Sequence, residues 1–201
     1  MDKEQLKNNR WLNVILLVEF ADNKEQKDIL YDTLKRYEED GNYNVSYATA
    51  YVINVDNMHE RLMQLSSFIS SNFDLVVGYG YGGAIAIALQ KFCAVPYMTI
   101  NPVFTNTAFT NNVRYSENFK LFSDKYLNFE EDLDDTNGYE SNCLLVSKDD
   151  IEDVRPIIAH YSKNPVKEVI SPMKRKREQL IYDTLMDMLY KIRIKKTNFF
   201  I

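Results

Sequence analysis

The chain has 201 residues, 45% hydrophobic and 13% aromatic, with a formal net charge of −5. That length suits a single domain spanning residues 1–201 with its own core, and the acidic balance argues against general nucleic-acid binding, which relies on basic surface. The two cysteines, the absence of a long apolar run and the polar start MDKEQLKNNR argue against a disulfide framework, a membrane span and a secretory leader, and predict a cytoplasmic protein.

In chain order, Leu12 to Val18 (LNVILLV) is an aliphatic run of strand length, as expected of a strand covered on both faces. Asn23 to Asp40 places Ile29, Leu30, Leu34 and Tyr37 at helical spacing, with Gly41 as a stop. Val45 to Ile53 is β-branched and aromatic, which suits a strand nearer the edge. A helix over Asn57 to Ser70 follows, with Met58, Leu62, Leu65 and Ile69 on one stripe.

The stretch from Asp74 to Asn101 is the centre of the chain. Leu75, Val76 and Val77 run into Gly78, Gly80, Gly82 and Gly83, an apolar helix from Ala84 to Phe92 follows, and Pro96 to Ile100 returns as a strand. This is a βαβ crossover. From Pro102 to Ser141 the chain lacks a clear period until Asn118 to Phe129, and an insertion of that length between two strands reads as a lid or binding segment. The acidic run Glu130, Glu131, Asp132, Asp134 and Asp135 reads as a solvated turn, since its spacing is not that of a Ca²⁺ loop. Cys143 to Ser147 is a fifth strand, Asp150 to Tyr161 a helix and Lys167 to Ile170 a short sixth strand. The last helix is expected to start at Ser171 as N-cap with Pro172 at its first position.

Strands alternating with helices predict a three-layer α/β/α fold on a mainly parallel six-stranded sheet. With strand order 2-1-3-4-5-6, ligands are expected beyond the carboxyl ends of the first and third strands, where the order reverses. Glu19, Phe20, Tyr79, Tyr81, Asn101 and Lys174 are the candidates for contacting a ligand there.

Two readings compete for the glycine turn. Gly78, Gly80 and Gly83 match the dinucleotide-binding spacing G-x-G-x-x-G, but the next strand ends in Asn101 and Pro102 rather than in the acid that holds a ribose. The alternative is the nucleophile elbow G-x-S-x-G, with Gly78 and Gly82 in the flanking positions. Here VVGYGYGGAIAIALQ, VPYMTINPVF and CLLVSKDDIEDVRPIIAHY, in this order, resemble the small α/β-hydrolases of the bacterial esterase-like type, which have a minimal core and no large cap.

The resemblance implies the fold and also shows what is missing. Gly80 stands where the family has its nucleophilic serine, ISPMKRKRE after the sixth strand has no histidine, and Glu19 and Phe20 replace the family's His-Gly pair. Only the acid is retained, at Asp149. Without hydroxyl and base the nucleophilic route is lost. Gly80 also relieves the roughly 1–3 kcal/mol of strain that the elbow imposes on its central residue.

Substitutes are few. His160 is read as a far-edge residue, His59 as a base candidate near the ligand edge but after the outer second strand, and Cys93 and Cys143 as structural thiols. Tyr79 and Tyr81 flank the vacant position and either fill it or hydrogen-bond a ligand. Lys174, Arg175, Lys176 and Arg177 oppose the macrodipole of the last helix, so an anion could be bound there. The expectation is a non-catalytic hydrolase-like protein that binds a small anionic ligand or a protein partner, without cofactor, metal, nucleic acid or membrane. An esterase-like enzyme with a rearranged site, using Tyr81, Ser147 or Ser171 with Asp149, is the alternative, and a nucleotide-binding protein the third reading.

Overall fold

The computed structural model describes residues 11–20, 22, 24–103, 113–127, 143–147, 167–171 and 174–198, with the backbone alone at 26, 113–114, 143–147, 167–171, 174–177 and 197–198. Its elements are β1 (Leu12–Glu19), α1 (Lys24–Arg36), α2 (Glu38–Gly41), β2 (Tyr43–Ala50), α3 (Met58–Asn72), β3 (Leu75–Tyr79) and α4 (Tyr81–Leu89). Then come β4 (Tyr97–Ile100), α5 (Val113–Phe122) continued by a π-helical turn (Ser123–Leu127), β5 (Cys143–Ser147), β6 (Lys167–Ser171) and α6 (Lys174–Asn198).

The fold is α/β on a parallel sheet. β1 lies between β2, in register Leu12 to Tyr43, and β3, in register Val14 to Leu75. β3 pairs with β4, and the backbones of β5 and β6 continue the ladder. β1 is buried on both sides because its alternate residues serve two cores. Leu12, Val14, Leu16 and Val18 join Leu30 and Leu34 of α1 and Leu185, Met188 and Leu189 of α6. Ile15 and Leu17 face Leu62 and Ile69 of α3, the whole of α4, and Tyr115 and Phe119 of α5. Helices therefore cover both faces, and the point where the strand order reverses falls between β1 and β3, which run parallel.

Several boundaries differ from the sequence reading. The first long helix breaks after Arg36 and resumes as α2, and Asn42 in the left-handed region ends it. Ile29 is 52% exposed, because the inward face of α1 is set by Lys27, Leu30, Thr33 and Leu34. α4 starts at Tyr81 rather than Ala84 and ends at Leu89, since Gly82 and Gly83 belong to its first turn instead of preceding it. α5 starts at Val113, earlier than the period suggested, and Tyr115, Phe119 and Phe122 enter the core over α4. Ser171 closes β6, and α6 starts at Lys174 rather than at a Ser171 cap.

The amino edge is tied by charge. Asp74 accepts the Asn13 N–H at 2.7 Å and pairs with Lys196 of α6, while Arg193 donates to the Asn42 carbonyl at 2.8 Å. Trp11, 49% exposed, precedes β1 at this edge. Among the described residues, no helix is long and apolar enough to cross a membrane.

Candidate functional site

The elbow is built from β3 and α4. Gly80 adopts φ 55° and ψ −121°, a region that side-chain-bearing residues enter only at a cost. Its N–H donates to the Ile100 carbonyl at 3.1 Å, and its carbonyl accepts from Gly83 and Val103, each at 3.1 Å. Gly82 is required for a different reason. A Cβ there would lie 2.1 Å from the Leu17 carbonyl oxygen and 2.5 Å from the Val18 Cα, so its absence allows α4 to rest directly on β1. The sharp turn thus persists without a side chain at its apex.

The space over that apex is filled from another strand. After β1 the chain makes a tight turn in which the Asp22 N–H donates to the Glu19 carbonyl at 3.0 Å. In return the Glu19 N–H donates to Asp22 Oδ2 at 2.7 Å. Asp22 Oδ1 accepts the Tyr81 N–H at 2.8 Å, and the Gly82 amide also bonds this carboxylate. A Cβ on Gly80 would stand 2.4 Å from Asp22 Oδ1. The carboxylate therefore occupies the ground that a side chain on residue 80 would need. It also takes the amide of the residue after the apex, which in a nucleophile elbow serves the oxyanion.

Glu19 lies beneath. Its side chain is fully buried on the α4 side of the sheet, accepting the Phe20 N–H at 3.1 Å and the Val52 N–H at 3.3 Å. Burial raises its pKa to about 8 against the pull of these amides, with a smaller push from Asp22. Burial likewise raises Asp22 to about 6, opposed by the amides of Glu19, Tyr81 and Gly82 and by Lys27. Near neutral pH the pair holds about one negative charge between them.

The other candidates separate. Phe20, at the tip of the turn and 36% exposed, stacks on Tyr51 at 5.8 Å and meets Tyr115 edge-on at 4.9 Å. Tyr81 is buried among Tyr115 and Phe119, and burial first, then Asp22, pushes its phenol up to about 12. Tyr79 packs with the core on the opposite face, so the two tyrosines do not flank one cavity. Asn101 takes a left-handed φ of 45° just after β4. Lys174 opens α6, but its side chain, and the whole of Asp149, lie outside the described residues, as does His160.

His59 does not reach the elbow. Its Nδ1 is 3.1 Å from the Tyr126 hydroxyl and its ring meets Phe92 edge-on, beyond the far end of α4. A helix of nine residues spans about 13 Å. Among the described residues, no group of three or more His, Cys, Asp or Glu could hold a metal ion. Asp22 escaped the sequence reading because it looks like the polar start of α1. The one available signal was an acid three residues after a buried strand, at the edge where ligands are expected.

No protein-family model and no curated protein matches the chain. Solved structures do. An S-formylglutathione hydrolase (FrmB) of Staphylococcus aureus is 14% identical, with a TM-score of 0.60 over 94% of this chain and 89% of that one. The fluorophosphonate-binding serine hydrolase FphF of the same organism is 12% identical with a TM-score of 0.56 over the same shares. An S-formylglutathione hydrolase of Agrobacterium tumefaciens gives 11% identity and 0.54, over 92% of this chain and 84% of that one. At such identities the likeness establishes a shared α/β fold.

Proposed function

We propose that this chain is an α/β-hydrolase-like protein, its six strands in the order 2-1-3-4-5-6, whose elbow serves binding rather than serine hydrolysis. One observation carries the reading: the Asp22 carboxylate sits over Gly80 and accepts the Tyr81 amide at 2.8 Å. A serine route requires an attacking oxygen, a base and free amides for the oxyanion. Gly80 supplies no oxygen, and the Tyr81 amide already has its acceptor. The occupant of the crevice is a small ligand or a protein partner. It would meet the exposed Phe20 and Tyr51 rings at the rim, and, if anionic, the cations from Lys174 to Arg177 at the start of α6.

The test is a fluorophosphonate probe on the purified chain. Wild type is expected to stay unlabelled, and so is Gly80→Ser while Asp22 is present; a covalent adduct on wild type at any residue bordering Gly80 would refute the reading.

A second reading, an esterase with a rearranged site, draws on the hydrolase neighbours and on the register pairing of Ser147 with Ser171 at the ends of β5 and β6. Under it, turnover of short p-nitrophenyl esters should vanish in Tyr81→Phe or Asp149→Asn. The high pKa of the Tyr81 phenol weighs against tyrosine as nucleophile. The nucleotide reading is weaker still, because a pyrophosphate at this turn would need the amide that Asp22 holds.

A further inference from the structure

The Glu19–Asp22 turn places two acidic side chains, one fully buried and one 8% exposed, against the first turn of α4. The charged and titratable groups facing them are Lys27 from α1, which draws Asp22 toward its ionised form, Tyr81 from α4 and Tyr115 from α5. The segment after β2 contributes only the amides of Val52 and Ile53. A fold does not need this arrangement, since a neutral turn could link β1 to α1. We propose that the turn is a charge-operated latch on the elbow: it stays seated while Glu19 and Asp22 share one negative charge, and lifts off the Tyr81 amide when both are ionised.

The geometry supplies each part. The Asp22 carboxylate ties the turn to Glu19 N–H on its own side and to Tyr81 N–H across the crevice, while the Glu19 carboxyl holds the Phe20 and Val52 amides. A second charge on Glu19 would enter a site closed to water, beside the first, with Lys27 drawing on Asp22 rather than on Glu19 among the largest influences on the pair. Lifting the turn also moves Phe20 away from Tyr51 and Tyr115 and opens the ground over Gly80. The latch thus governs access to the crevice of the proposed function, but it rests on the seating of Asp22 and not on the absence of hydrolysis.

Hydrogen exchange on the full chain tests it, with rates corrected for the intrinsic effect of pH. Protection of the Glu19 and Tyr81 amides is expected to fall about tenfold or more from about pH 6.5 to about pH 9.5, while Val76 and Val77 in β3 keep theirs. In Glu19→Gln the loss should disappear. Equal protection at both pH values, or an unchanged loss in Glu19→Gln, overturns the latch. Should that variant fail to fold, carbon NMR of the Glu19 carboxyl in wild type decides: a midpoint coinciding with the loss of protection supports the latch, and one well separated from it overturns it. Fluorophosphonate labelling would refute the binding reading and leave these outcomes intact.

Discussion

The two edges of the sheet treat charge in opposite ways. At the amino edge Asp74 is paired with Lys196, and Arg193 spends its donors on backbone carbonyls; each charge there fastens α6 to the sheet. At the carboxyl edge Glu19 and Asp22 are buried, and burial is the largest influence on both, raising their pKa values. Pairing of the first kind stabilises modestly, whereas burial of the second kind opposes folding whenever the groups are charged. Buried carboxyl groups at the carboxyl edge of a parallel sheet, where ligands sit in folds of this kind, point to a role other than stability.

The contrast can be broken most severely at Gly82. Gly82→Ala drives a Cβ into the backbone of Leu17 and Val18 and should cost more than about 3 kcal/mol, read by urea unfolding. Gly80→Ala is expected to cost about 3 kcal/mol, from its positive φ and from the collision with Asp22 Oδ1. Part of that loss, about 1 kcal/mol, should be recovered in an Asp22→Ala background, where the collision is gone; strict additivity of the two changes would show that Asp22 does not sit over the apex.

The pH dependence comes next. Both carboxyl groups titrate higher in the fold than as free side chains, from 4.5 to about 8 for Glu19 and from 3.8 to about 6 for Asp22. The folded protein therefore holds protons that the unfolded chain has released. Their contribution to stability is full below about pH 4 and is lost as pH rises through about 6 and then about 8. Thermal melts should fall between about pH 5 and about pH 9 by an amount equivalent to roughly 5 kcal/mol, and Glu19→Gln should flatten most of that slope. The smallest effect belongs to the amino edge. Lys196→Met should lose about 1 kcal/mol or less, since its partner Asp74 keeps the Asn13 amide.

Much of the fold was legible because it rests on local pattern. The aliphatic run of β1, the glycine turn and the apolar α4 each announce burial within about ten residues, and together they imply a parallel sheet covered by helices. Periodicity failed where one residue could satisfy two roles. Ile29 fits the helical stripe of α1 but faces solvent, and Ser171 with Pro172 reads as a helix start where the serine still belongs to β6. The empty apex was legible from Gly80 alone. What fills it was not, because Asp22 and Tyr81 are 59 residues apart and nothing local distinguishes Asp22 from an ordinary helix-starting acid. Glu19 and Phe20 were placed at the correct edge, yet the burial of the first and the stacking of the second depend on Val52, Tyr51 and Tyr115, which only the fold brings near.

The placement of Trp11 has a practical consequence. It is the single tryptophan of the chain and stands just before the eight-residue strand β1, roughly 25 Å along the sheet from the rings of Tyr51, Tyr81 and Tyr115. Indole emission thus monitors one extremity of that strand. A titration in which the Tyr81 amide loses protection while indole emission stays flat would localise the event to the opposite extremity without any added dye.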